Sequence, residues 1–167
     1  MAATPKWAAQ AIRKVYDLGW RPTFLMAYPG ANPETVLNPA GLEKSIGLLS
    51  AYYGKNDTVT WKDDPGFQAY VAFMKKYYPE GNLLDASNHY GYLVSQTLHQ
   101  VLKQAGNDLT RANIMKQAAN LKGYRPEGLL PGIRINTDAN DFAPIESEQL
   151  IRFDGKQWQR FGAIIGK

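Results

Sequence analysis

The chain has 167 residues, enough for one domain with a sizeable core. Its composition, 44% hydrophobic, 20% charged and 12% aromatic, excludes disordered and fibrous classes. The 19 basic and 15 acidic residues leave a net charge of +4, and Lys and Arg are scattered singly or in pairs such as Lys75-Lys76, so no nucleic-acid partner is expected.

With no cysteine, disulfides, thiolate metal sites and cysteine nucleophiles are excluded and the compartment stays open. Met1-Ala2-Ala3-Thr4-Pro5-Lys6 shows no basic and then apolar pattern of a signal peptide. No apolar run approaches the ~20 residues that span a bilayer, so membrane insertion is not expected.

Thr4-Pro5 predicts a helix start, followed by Trp7, Ala8, Ala11, Ile12, Val15 and Leu18 at helical spacing and a stop at Gly19. Thr23 to Tyr28 is a continuous apolar run, which predicts a parallel strand covered on both faces. Pro29-Gly30 breaks it, and Asn32-Pro33-Glu34 predicts a short helix over Thr35, Val36 and Leu37. A second strand is expected from Ser45 to Tyr53, running out into a polar linker over 54–64.

Asp64-Pro65 opens a helix with Phe67, Tyr70, Val71, Met74, Tyr77 and Tyr78 in one stripe. A second helix is expected from Ser87 to Ala105, striped by Tyr90, Val94, Leu98, Val101 and Ala105, and a third from Thr110 with Ile114, Met115, Ala118 and Leu121. After Gly123 the pattern turns to β: Leu129-Leu130, Ile133 to Ile135, and a hairpin in which Asp154-Gly155 joins 149–153 to 157–161. Alternating helix and strand, then helices, then antiparallel strands predict an α/β fold without internal repeats.

Chemistry-bearing patterns are sparse. His89 and His99 lie ten residues apart on one predicted helix, a spacing that does not align them as metal ligands, so no metal or cofactor is expected. No G-x-S-x-G, G-x-G-x-x-G or Walker pattern occurs, and the carboxylates fall at caps, turns and strand flanks, so an enzyme is not expected. The ten tyrosines stand out. Tyr28 ends the first predicted strand and Tyr52 and Tyr53 end the second, where open α/β sheets bind ligands.

The run Ala3-Thr4-Pro5-Lys6-Trp7-Ala8-Ala9-Gln10-Ala11-Ile12-Arg13-Lys14 resembles the second-lobe helix of type I periplasmic binding proteins of the branched-chain amino acid, amide and aromatic-acid uptake group. In the same order, Tyr90-Gly91-Tyr92-Leu93-Val94, Leu130-Pro131-Gly132-Ile133 and Pro144-Ile145 through Phe153-Asp154-Gly155-Lys156 resemble a helix, a late loop and the final hairpin of that family. The resemblance implies the C-terminal portion of a two-lobed receptor, beginning mid-domain, with residues 1–54 in the second lobe, 55–125 a linker and helices of the first, and 126–167 a return to the second.

The same resemblance implies a periplasmic protein that closes by hinge motion on a small organic ligand and hands it to an ABC permease, binding without chemistry. A sensor of a regulator with the same fold and an inert truncated piece are the alternatives. Strands 23–28 and 46–52, left without neighbours, are expected to make the chain associate with itself or with an N-terminal piece. Ligand contacts are expected from Ala27, Tyr28, Pro29, Gly30, Asn32, Tyr52 and Tyr53. Amino-acid binders of the family carry an acidic residue in the loop matching 27–32. None stands there, which points away from α-amino acids and toward an aromatic or other carboxylic acid.

Overall fold

A computed structural model of the chain describes residues 1–55 and 57–166. Asn56, inside the expected linker, lies outside the described residues.

Helix α1 (Pro5–Asp17) starts where Thr4-Pro5 predicts, but the Thr4 side chain makes no capping hydrogen bond, so the fixed φ of Pro5 starts it. It buries Ala8, Ala9 and Ile12, while Trp7 (62%) and Leu18 (63%), at the two ends of the expected stripe, stay exposed.

The expected strand 23–28 is extended backbone with a single parallel bridge, Leu25 to Leu49. Met26 N–H donates to the Leu49 carbonyl at 2.9 Å and Leu49 N–H to Phe24 at 3.0 Å. Met26 is buried but Leu25 is 53% exposed, so the segment is covered on one face, not two. Its other edge is met by Met1, whose carbonyl accepts from Ala27 and whose amino group donates to Leu25.

Tyr28–Ala31 forms a 3-10 turn, and Pro33–Leu37 a wide turn that runs into α2 (Asn38–Ala40). Strand β1 (Leu49–Tyr52) is shorter than expected. A 3-10 turn occupies Glu43–Ser45 and Gly47 takes φ +86°, a conformation that suits glycine, so the chain turns before it extends.

β1 pairs antiparallel with β2 (Ser147–Phe153), and β2 with β3 (Trp158–Gly166), in the order β1-β2-β3. Phe153 opposes Trp158, so the hairpin loop spans 154–157 and is not a two-residue Asp-Gly turn. Asp154 Oδ1 accepts from the N–H groups of Lys156 and Gln157 and closes that longer loop. The other predicted β segments, 129–130 and 133–135, make only the isolated bridges Gly54–Leu129 and Tyr124–Ile135.

Between β1 and β2 come α3 (Pro65–Tyr77), α4 (Ala86–Ala105) and α5 (Arg111–Ala118), capped by the side chains of Asp64, Asp85 and Thr110. α4 therefore starts at Asp85, not at Ser87. Its buried face runs through Ala86, His89, Leu93, Val101 and Ala105. Tyr90 (55%), Val94 (46%) and Leu98 (52%), three of the five residues of the expected stripe, are exposed. The stripe is covered at its C-terminal end, at Val101 and Ala105, and open along the rest.

The core is divided. One cluster joins α1 to Met26, Val36, Leu37, Leu48 and Phe153. Another joins α4 to Leu121, Leu129, Leu130, Ile133 and Ile135, with Tyr53 and Ile145 against it. A third holds Phe67, Tyr70 and Met74 of α3. Residues 129–135 thus pack with the helices, and the chain pairs with β1 from Gln149 onward.

The linker after β1 is anchored by an ion pair. The Lys55 Nζ donates to both Asp64 carboxylate oxygens at 2.9 and 2.8 Å, and Asp64 Oδ1 also accepts from Phe67 N–H at 2.9 Å to cap α3. Burial raises the Asp64 pKa, but Lys55 and the backbone N–H groups outweigh it and hold the carboxyl below its ordinary value of 3.8. Its contribution is therefore present above pH 3.8 and lost as pH falls below it. Asp64→Ala removes the cap and leaves nearly buried Lys55 unpaired, so urea unfolding at pH 7 should show a loss of about 2 kcal/mol, partly recovered by Lys55→Met. A loss under about 0.5 kcal/mol would reduce the pair to an ordinary surface contact.

Candidate functional site

A cleft of about 960 Å³ opens where the extended segment 25–29, the end of β1, the start of α4 and the start of β2 converge. Ala27, Tyr28, Pro29, Asn32, Tyr52 and Tyr53 of the expected residues line it. Gly30 does not: it is buried under the cleft floor, where a Cβ would come within 3.1 Å of Met26 and 3.3 Å of Ala8, so its small size serves packing. Thr35, Ser87, Tyr90 and Glu148 line the cleft without having been singled out from sequence.

Tyr52 organises the wall. Its ring stacks on Tyr28 with centroids 3.7 Å apart and planes 15° from parallel, and Tyr53 tilts against it at 4.8 Å. On its inner side the Tyr52 hydroxyl is hydrogen-bonded to His89 Nδ1 at 3.3 Å. Tyr70 meets the His89 ring edge-on at 5.2 Å. Burial, then the Tyr28 and Tyr53 phenols, push the Tyr52 hydroxyl well above the ordinary range. Burial, then Tyr90 and Glu148, push Tyr53 up to about 12. These phenols are neutral hydrogen-bonding groups at physiological pH.

Asn32 pins the loop that carries Tyr28. Its Oδ1 accepts from Glu34 and Thr35 N–H groups at 3.0 and 3.4 Å, and its Nδ2 donates to Asp85 Oδ1 at 3.0 Å. Asp85 also accepts from Ser87 N–H at 2.9 Å as the cap of α4. Burial raises its pKa, but the hydrogen bonds from Ser87 and Asn32 outweigh that and keep the carboxyl below its ordinary value.

Glu148 reaches the cleft by register. Tyr52 opposes Gln149, so Glu148 comes beside Tyr53 as β1 leaves the sheet. A bulge between Gln149 and Leu150 adjoins it, with Gly162 at φ +69° in the partner strand. The absence of an acid in 27–32 therefore does not make the cleft free of acid. A carboxylate enters from the far end of the chain.

His89 was read only as a poor metal ligand. It is buried, and Gly54 and Gly128 make room for it: a Cβ at either would come within 2.9 and 2.8 Å of its ring. His99 is exposed on the same helix. Among the described residues no group of three or more His, Cys, Asp or Glu is gathered to hold a metal ion, and no helix is long and apolar enough to cross a membrane.

Burial, then the charge of Lys55, lower the His89 pKa from 6.5 to about 4. A histidine that folds neutral binds fewer protons than the unfolded chain between these values. Its contribution is thus complete above pH 6.5 and is lost as pH falls toward about 4. Urea unfolding should show stability dropping by about 3 kcal/mol across that window in excess of the carboxylate effect. His89→Phe should flatten that part of the profile, and an unchanged profile would remove His89 as its cause.

A family profile described as periplasmic binding protein matches residues 1–157. No curated protein matches the chain. Among solved structures, a branched-chain amino acid ABC transporter protein from Thermus thermophilus with bound valine superposes with a TM-score of 0.78 at 16% identity, over 95% of this chain and 43% of that one. A substrate-binding periplasmic protein from Ralstonia solanacearum gives 0.75 at 19%, over 99% and 44%. A fatty acid ABC transporter substrate-binding protein from Thermomonospora curvata gives 0.68 at 18%, over 99% and 42%. The chain spans less than half the length of each, and at these identities the likeness is one of fold. The α/β order ending in an antiparallel hairpin is that fold in part, and with the profile covering residues 1–157 the chain belongs to the periplasmic binding protein family.

Proposed function

We propose that the chain forms one wall of the ligand cleft of an extracytoplasmic solute-binding receptor, which delivers a small organic ligand to an ABC permease. The observation that carries this reading is the cleft itself, with Tyr28, Tyr52 and Tyr53 on one surface at the ends of the extended segments. Family membership supports binding and release rather than chemistry. The receptor is periplasmic in this reading.

The packing supports a division into lobes at two crossings. Residues 1–54 with 147–166 gather around β1 and the first core cluster, and 57–145 around the helices. The second crossing then falls near Ser147 and not at 126. Asn32–Asp85 and Arg160–Asp57, the latter at 3.5 Å, are contacts between the two bodies. The relation of these bodies also suits a sensor of a regulator, but the valine, substrate and fatty-acid binding proteins above favour transport.

The tyrosine wall supports a ligand with a flat, apolar body. Stacking contributes about 1 kcal/mol beyond area burial. Calorimetric titration should show aromatic compounds binding and Tyr28→Leu weakening them about fivefold with an unchanged melting curve. Tighter binding of leucine than of any aromatic compound by the full-length receptor overturns this ligand class.

Self-association is proposed from the sheet edges. β3 has no strand on its outer side, and Leu25, Ile164 (38%) and Ile165 (49%) are exposed. Light scattering should show mass rising with concentration. A compact monomer at every concentration overturns this expectation.

A further inference from the structure

Besides the Met1 ammonium, which is tied to the Leu25 carbonyl, the cleft's charge comes from a carboxylate. Tyrosines aside, Glu148 is the ionisable side chain among its described lining residues, and no Lys, Arg or His is among them. Glu148 makes no ion pair among the described residues. Met1 stands at the rim, but its amino group donates to the Leu25 carbonyl. Asp85, capping α4 behind Ser87, adds a second negative charge close to the wall.

Aromatic faces flank the carboxylate. Tyr53 is its neighbour by strand register, and Tyr90, 55% exposed, comes from α4 on the same cleft. Burial pushes the Tyr53 phenol up to about 12, so its ring presents the negative face of a π-system and not a charge. A cation within ~6 Å of such rings is attracted to them, most strongly where water is partly excluded. An anionic ligand meets the opposite conditions: it would bring a second negative charge beside Glu148 and find no cation among the lining side chains.

We propose that this cleft selects an organic ammonium compound, an amine or quaternary ammonium on an apolar body, with Glu148 as counter-charge, Tyr53 and Tyr90 facing the cation, and Tyr28 and Tyr52 holding the body. The inference rests on the cleft being the ligand site, as proposed above. It replaces the acidic ligand expected from the loop 27–32, because the counter-charge missing there is supplied by β2.

Calorimetric titration of the chain with three probes that share a phenyl body, benzyltrimethylammonium, benzyl alcohol and benzoate, tests it. The ammonium should bind about tenfold more tightly than the alcohol, benzoate should bind most weakly, and the preference should shrink as salt is raised. Glu148→Gln should bring the ammonium to within about threefold of the alcohol with an unchanged melting curve and unchanged affinity for the alcohol. Benzoate binding as tightly as the ammonium, or a Glu148→Gln variant that keeps the ammonium preference, overturns the inference while the cleft keeps its role. Binding of none of the three overturns both.

Discussion

Tyr52 is the contact on which the arrangement of the cleft depends. It ends β1, an edge strand of the sheet, at the place where the α1 core and the helical core meet, stacked on Tyr28 at 3.7 Å on one side and hydrogen-bonded to His89 at 3.3 Å on the other. A ring fixed on both sides loses its rotamer freedom once and then positions several neighbours. Tyr28 is held by it, Tyr53 must turn outward beside it, and His89 is kept neutral below it. The requirement for glycine at 54 and 128 follows, since a Cβ at either would strike the imidazole.

Around this contact, polar bonds add to the apolar packing of Tyr53 on the helical core. Asn32 reaches Asp85, and Arg160 reaches Asp57 while its guanidinium lies 4.7 Å over the Trp61 ring. Lys55 lies over the same ring at 5.2 Å and bonds Asp64. Such contacts are directional and individually modest, so they orient the segments they join.

The exposed apolar surface has the same origin as the divided core. Tyr90, Val94 and Leu98 continue the stripe of Val101 on α4 and line a second cleft of about 380 Å³ with Phe142 and Ile145. Tyr90 and Tyr53 belong to both clefts, so the apolar surface is continuous with the ligand wall. Periodicity marks the apolar stripe of a helix but does not say how much of its length a neighbour covers.

What the sequence determined by itself is what lies within a few residues: the helix starts at Pro5, Asp64-Pro65 and Thr110, the stops, the final hairpin, the α/β order and the resemblance to a receptor family. Proline's φ, cap donors and turn geometry act locally, so they are legible without a partner. The same local signals placed Tyr28, Asn32, Tyr52 and Tyr53 at segment ends, hence on the cleft. The tertiary structure decided the rest. It covered residues 23–28 on one face, assigned Gly30 to packing, buried His89, and brought Glu148 beside Tyr53 through the pairing of β1 with β2. The charge of a cleft is set by which distant strands align, and strand register is fixed by the folded sheet and not by any neighbouring residue.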